Sequence, residues 1–203
     1  MKIIETQSLA IPDVKVTTYS RFHDERGYFT ETSRKSDFMS DQQFLQTNES
    51  FSKGGTFRGF HLQWNPYQGK LVRPVYGHLI DFALDLRKNS PHFGKIVAHD
   101  MPTNPTATSA QWIWLPPGFA HGILLPEDTL IEYFCTGEYS PGNEGCISPL
   151  ATDIDWSLCD PALKAKFDEI VPTSTLIADK DKAGMTIQEW QDSAVSANFI
   201  FQS

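Results

Sequence analysis

The chain has 203 residues, 40% hydrophobic and 21% charged, which suits one domain, residues 1–203, with a full-sized core. Its net charge of −8 argues against nucleic acid or an anionic membrane surface as partner, and no apolar run approaches the roughly 20 residues that span a bilayer. Cys135, Cys146 and Cys159 are an odd set without CxxC spacing, and MKIIETQSLA lacks a signal peptide's apolar core, so free thiols and a cytoplasmic location are expected.

Along the chain, residues 33–43 carry a first helical pattern. Period-two alternation begins with Arg58-Gly59-Phe60-His61-Leu62-Gln63, which reads as a strand with Phe60 and Leu62 opposite His61. Arg58 is expected on the same side as His61. Further β-rich stretches occupy 70–76, 80–87, 95–99, 111–115 and 129–134. In the second of these, Ile80, Phe82, Leu84 and Leu86 share one face, with Asp81, Asp85 and Arg87 on the other. Turn signals fall between strands at Gly54-Gly55, Asn65-Pro66, Tyr76-Gly77, Asn89-Ser90-Pro91, Pro116-Pro117-Gly118 and Ser140-Pro141-Gly142-Asn143. Many short strands with turns between them predict an all-β antiparallel sandwich or barrel with a few short helices. A second helix is expected over 161–169, with Asp160 as N-cap and Pro161 at the first helical position. Residues from about 186 to 203 form a C-terminal extension whose periodicity leaves packing against the sheets and fraying both open.

Two features carry chemistry. Residues 50–80 contain no Asp or Glu but hold Lys53, Arg58, Lys70 and Arg73, an anion-attracting window in an acidic chain. Within it lies His61, which is either a satisfied structural histidine or a base working near neutral pH. The segment Pro117-Gly118-Phe119-Ala120-His121-Gly122 resembles the second motif of cupins, in which a turn delivers a histidine into a β-barrel. Metal cupins supply HxH in their first motif. Here His61-Leu62-Gln63 stands in that place, so no metal and no cofactor are expected.

The motifs then converge. Asp24-Glu25-Arg26-Gly27-Tyr28-Phe29-Thr30-Glu31 fits DxRGxFxE, Gln46-Thr47-Asn48 precedes RGxHxQ, and Gln68-Gly69-Lys70-Leu71-Val72-Arg73 fits QGKLVR. The run from Asp81 through Ser90-Pro91 to Lys95, then Pro117 to Gly122, then Asp153-Ile154-Asp155-Trp156, follows in order. Together they resemble the dTDP-4-dehydrorhamnose 3,5-epimerase family from about residue 10 to 185. The resemblance implies a cupin-like antiparallel β-barrel, or jelly roll, and a metal-free isomerase. That enzyme would invert C3, C5 or both in a nucleoside-diphosphate 4-keto-6-deoxy hexose.

By resemblance, His61 is the base, paired with Asp181 of the segment Ala178-Asp179-Lys180-Asp181. Tyr133 corresponds to the acid that returns a proton on the opposite face of the sugar, and Lys70 to the cation beside the C4 oxygen. Arg58, Gln46, Asn48, His121, Tyr139, Glu144 and Lys180 correspond to substrate-binding positions. Arg26, Phe29 and Glu31 correspond to residues that reach into the neighbouring subunit's site, which implies a homodimer with shared sites. Glu49, Leu62 and Phe134 depart from the common His, Tyr and Lys, and residues 157–175 are longer than usual. These departures leave the nucleoside, the sugar and the inverted carbon open. Competing readings are a ketoisomerase on the same fold, a non-catalytic sugar-nucleotide-binding barrel, and a metal-dependent cupin, which the missing HxH disfavours.

Overall fold

The computed structural model describes residues 1–36 and 41–202. Its elements in chain order are β1 (Ile3–Ser8), β2 (Lys15–Ser20), β3 (Phe22–Asp24), β4 (Gly27–Phe29), β5 (Gln46–Ser52) and β6 (Thr56–Gln63). They continue with β7 (Lys70–Asp85), β8 (Ile96–Thr103), β9 (Ser109–Leu115), β10 (Phe119–Leu125), β11 (Thr129–Cys135) and β12 (Glu144–Cys146). Three short helices follow: α1 (Pro161–Ile170), α2 (Asp179–Lys182) and α3 (Ile187–Asp192). The expected helix over 33–43 lies partly outside the described residues, and 33–36 and 41–43 are not helical.

All strand pairs are antiparallel, and two sheets share β7. Its first half joins the order β1-β2-β9-β7-β11-β5, and its second half the order β8-β7-β10-β6-β12. The expected turn at Tyr76-Gly77 is therefore a bend inside one long strand. Gly77 takes φ +90°, and a Cβ there would lie 2.5 Å from Asp128 O. Glycine lets the strand leave one sheet and enter the other without breaking its ladder. The result is an all-β, cupin-like jelly-roll sandwich.

Alternation along the strands builds three apolar layers. Val16, Val72, Leu79, Ala83, Ile113, Ile123 and Ile131 point between the sheets. Tyr19, Leu71, Trp112 and Trp114 cover the outer face of the first sheet. Ile80, Phe82, Leu84 and Leu86 pack on the outer face of the second sheet, as their shared side requires, beneath the C-terminal helices. The opposite side of that strand is also buried: Asp81 and Asp85 have no exposure. Asp85 is held by Arg87 and Ser90 Oγ, so its burial is compensated by charge-assisted hydrogen bonds.

Helix α1 starts as its sequence dictates, with the Asp160 side chain accepting from Ala162 N–H and Pro161 in the first turn. Its Phe167 sits among Phe57, Phe60, Phe82 and Trp156, with centroid separations of 4.7–6.4 Å. Helix α3 opens with a capping box between Thr186 and Glu189 and buries Trp190. Trp190 Nε1–H donates to Leu86 O, and Phe199 joins the same layer. The tail thus packs on the sheet through these residues. All three cysteines are free thiols.

Candidate active site

Arg58 and His61 are three residues apart and would fall on opposite faces of a regular strand. Across β6 and β10, His61 pairs with His121 while Arg58 pairs with Ile123, so three steps on β6 match two on β10. The extra residue is a bulge, and it turns Arg58 and His61 to the same side. Gly59 makes it possible. Its φ is +127°, and a Cβ would lie 2.5 Å from His121 O and 2.6 Å from Gly122 Cα.

Between the open ends of the two sheets lies a cavity with two lobes, of about 550 and 300 Å³. His61, Lys70 and Tyr133 line both lobes and mark where they meet. His61 comes from β6 of the second sheet, while Tyr133 on β11 and Lys70 at the start of β7 come from the first. The histidine and the tyrosine therefore belong to different sheets on either side of the junction.

His61 Nε2–H donates to Asp181 Oδ1 at 2.8 Å. An ionised carboxylate only accepts, so this bond puts the proton on Nε2 and leaves the Nδ1 lone pair free. Asp181 is 2% exposed, so despite its charged neighbours Asp179, Lys180 and Lys182 it is not a solvated turn residue. Burial by itself would raise its carboxyl. The His61 hydrogen bond and charge, with the Gly59 N–H and Lys180, outweigh that and hold it below the usual value. Helix α2 supplies both Asp181 and Lys180.

Lys70 has its ammonium pushed below the usual lysine value, because burial strips its water; Cys135, Asp81 and Glu144 act weakly the other way. Burial raises Tyr133, so its phenol stays protonated well past neutrality. The larger lobe also holds Lys53, Arg58 and Lys180, three of the cations an anionic ligand would meet. Arg58 Nε donates to Ser52 Oγ at 3.0 Å, which aims the guanidinium. Arg73 of the same cationic window instead pairs with Glu132.

The smaller lobe is a hydrogen-bonded frame. Gln46 Nε2 donates to Asn48 Oδ1, Tyr139 N–H donates to Gln46 Oε1, and Tyr139 O–H donates to Glu144 Oε1, at 2.7–2.9 Å. His121 sits at the base of the larger lobe, 9% exposed, donating from Nε2 to Asp81 Oδ2 at 2.8 Å.

Two contributors were not singled out as site residues from the sequence. Asp81 is the orienting partner of His121, and the signal for it was a carboxylate on the inward side of an otherwise apolar strand. Gln63 donates to Pro66 O and Glu138 O and accepts from Ser140 N–H, tying two loops to the strand that carries His61. The signal for it was the last position of RGxHxQ, which marks the residue without saying which groups it ties.

Arg26, Phe29 and Glu31 are not brought to this cavity. They stand on or beside the two-stranded β3–β4 sheet, where the Arg26 and Phe29 side chains are largely exposed. Arg26 pairs with Asp24, and Glu31 with Arg34 and the N-terminal amine.

A sequence model described as dTDP-4-dehydrorhamnose 3,5-epimerase matches residues 8–189. A Neisseria gonorrhoeae protein named as such an epimerase is 37% identical over 96% of this chain, which spans 55% of that relative's length. A Shigella flexneri protein of the same name is 38% identical, covering 82% of this chain and 92% of the relative. The solved structure of a Legionella pneumophila dTDP-6-deoxy-D-glucose-3,5-epimerase in complex with dTDP-4-keto-L-rhamnose superposes with a TM-score of 0.81. It is 27% identical and covers 98% of this chain and 99% of that one.

Proposed function

The chain belongs to the dTDP-4-dehydrorhamnose 3,5-epimerase family, and we propose that it inverts C3, C5 or both in a nucleoside-diphosphate 4-keto-6-deoxy hexose. The observation that carries this reading is the junction of the two lobes, where His61 and Tyr133 meet from different sheets with Lys70 beside them. Epimerisation beside a ketone requires a proton to leave one face and another to arrive on the opposite face. Nδ1 of His61 takes the proton, and Asp181 stabilises the imidazolium that forms. The electrons of the broken C–H bond move onto the C4 oxygen, and the Lys70 ammonium stabilises that enolate. Tyr133 then delivers its phenolic proton to the other face of the carbon.

The larger lobe, with Lys53, Lys180 and an Arg58 aimed by Ser52, suits the diphosphate, because its cations compensate that charge. The smaller lobe, with Gln46, Asn48, Tyr139 and Glu144, offers amide, hydroxyl and aromatic groups suited to a nucleoside. His121 supports the sugar side of the larger lobe. This set needs no metal, so EDTA-treated protein keeps full turnover; loss restored by an added divalent ion would overturn that.

The active unit is a homodimer in which Arg26, Phe29 and Glu31 complete the neighbour's site. Supporting this, these residues stand away from their own cavity, and Phe22, Tyr28 and Phe29 expose apolar surface on the same small sheet.

The test is turnover in D2O with a panel of nucleoside-diphosphate 4-keto-6-deoxy sugars, followed by NMR. Wild type gives inverted, deuterated product. His61→Ala falls by about 100- to 10,000-fold. Tyr133→Phe still exchanges substrate hydrogen for deuterium, because His61 both takes and returns a proton, but yields little inverted sugar. Wild-type epimerisation by Tyr133→Phe, or normal exchange by His61→Ala, would sink these assignments.

A further inference from the structure

One thiol beside the His61–Asp181 pair has no part in the proton transfers. Cys146 on β12 is the direct cross-strand partner of His61 on β6, so the two side chains leave the same face of the sheet. Its Sγ donates weakly to Ile147 O at 3.5 Å and lies 3.9 Å from Asp181 O. One ring nitrogen of His61, the Cys146 sulfur and one Asp181 oxygen all lie within 4.8 Å of one another. Among the described residues this is the one cluster of at least three such groups spaced to share a cation.

We propose that His61, Cys146 and Asp181 form a capture site for a soft divalent cation, zinc or cadmium, that switches the enzyme off. Imidazole, thiolate and carboxylate are a common zinc donor set, and three protein ligands leave a fourth position open to the cavity. Bond lengths of roughly 2.0–2.3 Å put tetrahedral ligand pairs roughly 3.3–3.7 Å apart, so side-chain shifts of about 1 Å complete the site. Binding forms one bond to each ligand, releases the thiol proton to solvent and shifts the His61 ring proton from Nε2 to Nδ1, with no change of oxidation state. The His61–Asp181 hydrogen bond is lost when both groups turn to the metal, and the base is lost with it. The cluster shares His61 with the HxH position of metal cupins but differs in its other ligands, since its sulfur comes from β12 and its carboxylate from α2.

Capture itself is independent of the epimerase reading, whereas inhibition rests on His61 as base, so the two are read separately. Cadmium chloride titrated into EDTA-stripped protein gives the ultraviolet thiolate-to-cadmium charge-transfer band, saturating at a single ion per chain. Cys146→Ser abolishes the band, and Cys159→Ser, which changes a thiol in the layer beneath the C-terminal helices, keeps it. In the turnover assay zinc chloride inhibits wild type and EDTA reverses it. Cys146→Ser retains basal turnover and needs at least about tenfold more zinc for half-inhibition, a loss of about 1.4 kcal/mol in binding. Cys146→Ala serves the same comparison if the serine variant folds poorly. A band that survives both Cys146 variants, or zinc inhibition that neither relieves, overturns the proposal. An inactive wild type with an intact band would overturn the epimerase reading and leave the metal site standing.

Discussion

Lys70 shows how one residue's environment sets a measurable property of the enzyme. Its ammonium is desolvated and deprotonates below the usual lysine value of 10.5. In the proposed reaction the enolate needs the charged form, so activity is expected at lower pH and should be lost as pH rises through that depressed value. Tyr133 is shifted upward and stays protonated over the same range, so it does not produce this loss. Lys70→Arg keeps a charge at any working pH. Its alkaline limb in a kcat–pH profile should therefore move upward, even though kcat falls because the guanidinium is a different shape. An unmoved limb would remove Lys70 from the role. At this scale residue types were legible early: a histidine beside cations and no acids suggests an anion and a proton acceptor. The partner carboxylate was indicated only by family resemblance, since Asp181 is 120 residues away along the chain. In sequence, Asp179, Lys180 and Lys182 make it look like a solvated turn.

Among the elements, β6 matters most, because its bulge decides where His61 points. Gly59→Ala places a Cβ against backbone atoms of β10 at 2.5–2.6 Å and forces an L side chain to φ +127°. We expect a cost of at least about 2 kcal/mol from strain and overpacking, read as a lower denaturation midpoint. Turnover should fall in the fraction that remains folded, because removing the bulge sends His61 and Arg58 to opposite faces. An alanine variant with wild-type stability and rate would show that the bulge is dispensable. Alternation anticipates β6, both halves of β7, β8, β9 and β11, whereas β1 to β5, β10 and β12 do not follow from it, and α1 follows from Asp160 and Pro161. The bend at Gly77 could not be read so directly. A glycine after tyrosine looks like a hairpin turn until both halves of β7 are seen to pair with β11 and β10 at once.

For the whole molecule, the question is whether one chain holds a complete site. The β3–β4 sheet carries Arg26 and Phe29 away from their own cavity, which fits a second copy as their destination. Arg26→Ala and His61→Ala should each be weak alone. Mixed after subunit exchange, they should recover about a quarter of wild-type activity, because half the dimers are hybrids and each hybrid has one intact site. No recovery between two folded, exchanging variants, or a fully active monomer by sedimentation, would refute shared sites.

The sequence by itself determined the all-β class, the antiparallel alternation, the family and the residue types of the chemistry, because these reside in local periodicity and in motifs of fixed order. It also led to His61, Tyr133, Lys70 and Asp181 as a set through resemblance. Tertiary structure alone decided that Asp181 is buried, that Asp81 orients His121, that Gln63 ties the loops, and that Cys146 stands opposite His61. Each of those depends on strand register and long-range packing. A single bulged residue in β6 changes which side chains share a face, and no local pattern of apolar and polar residues encodes where that extra residue is accommodated.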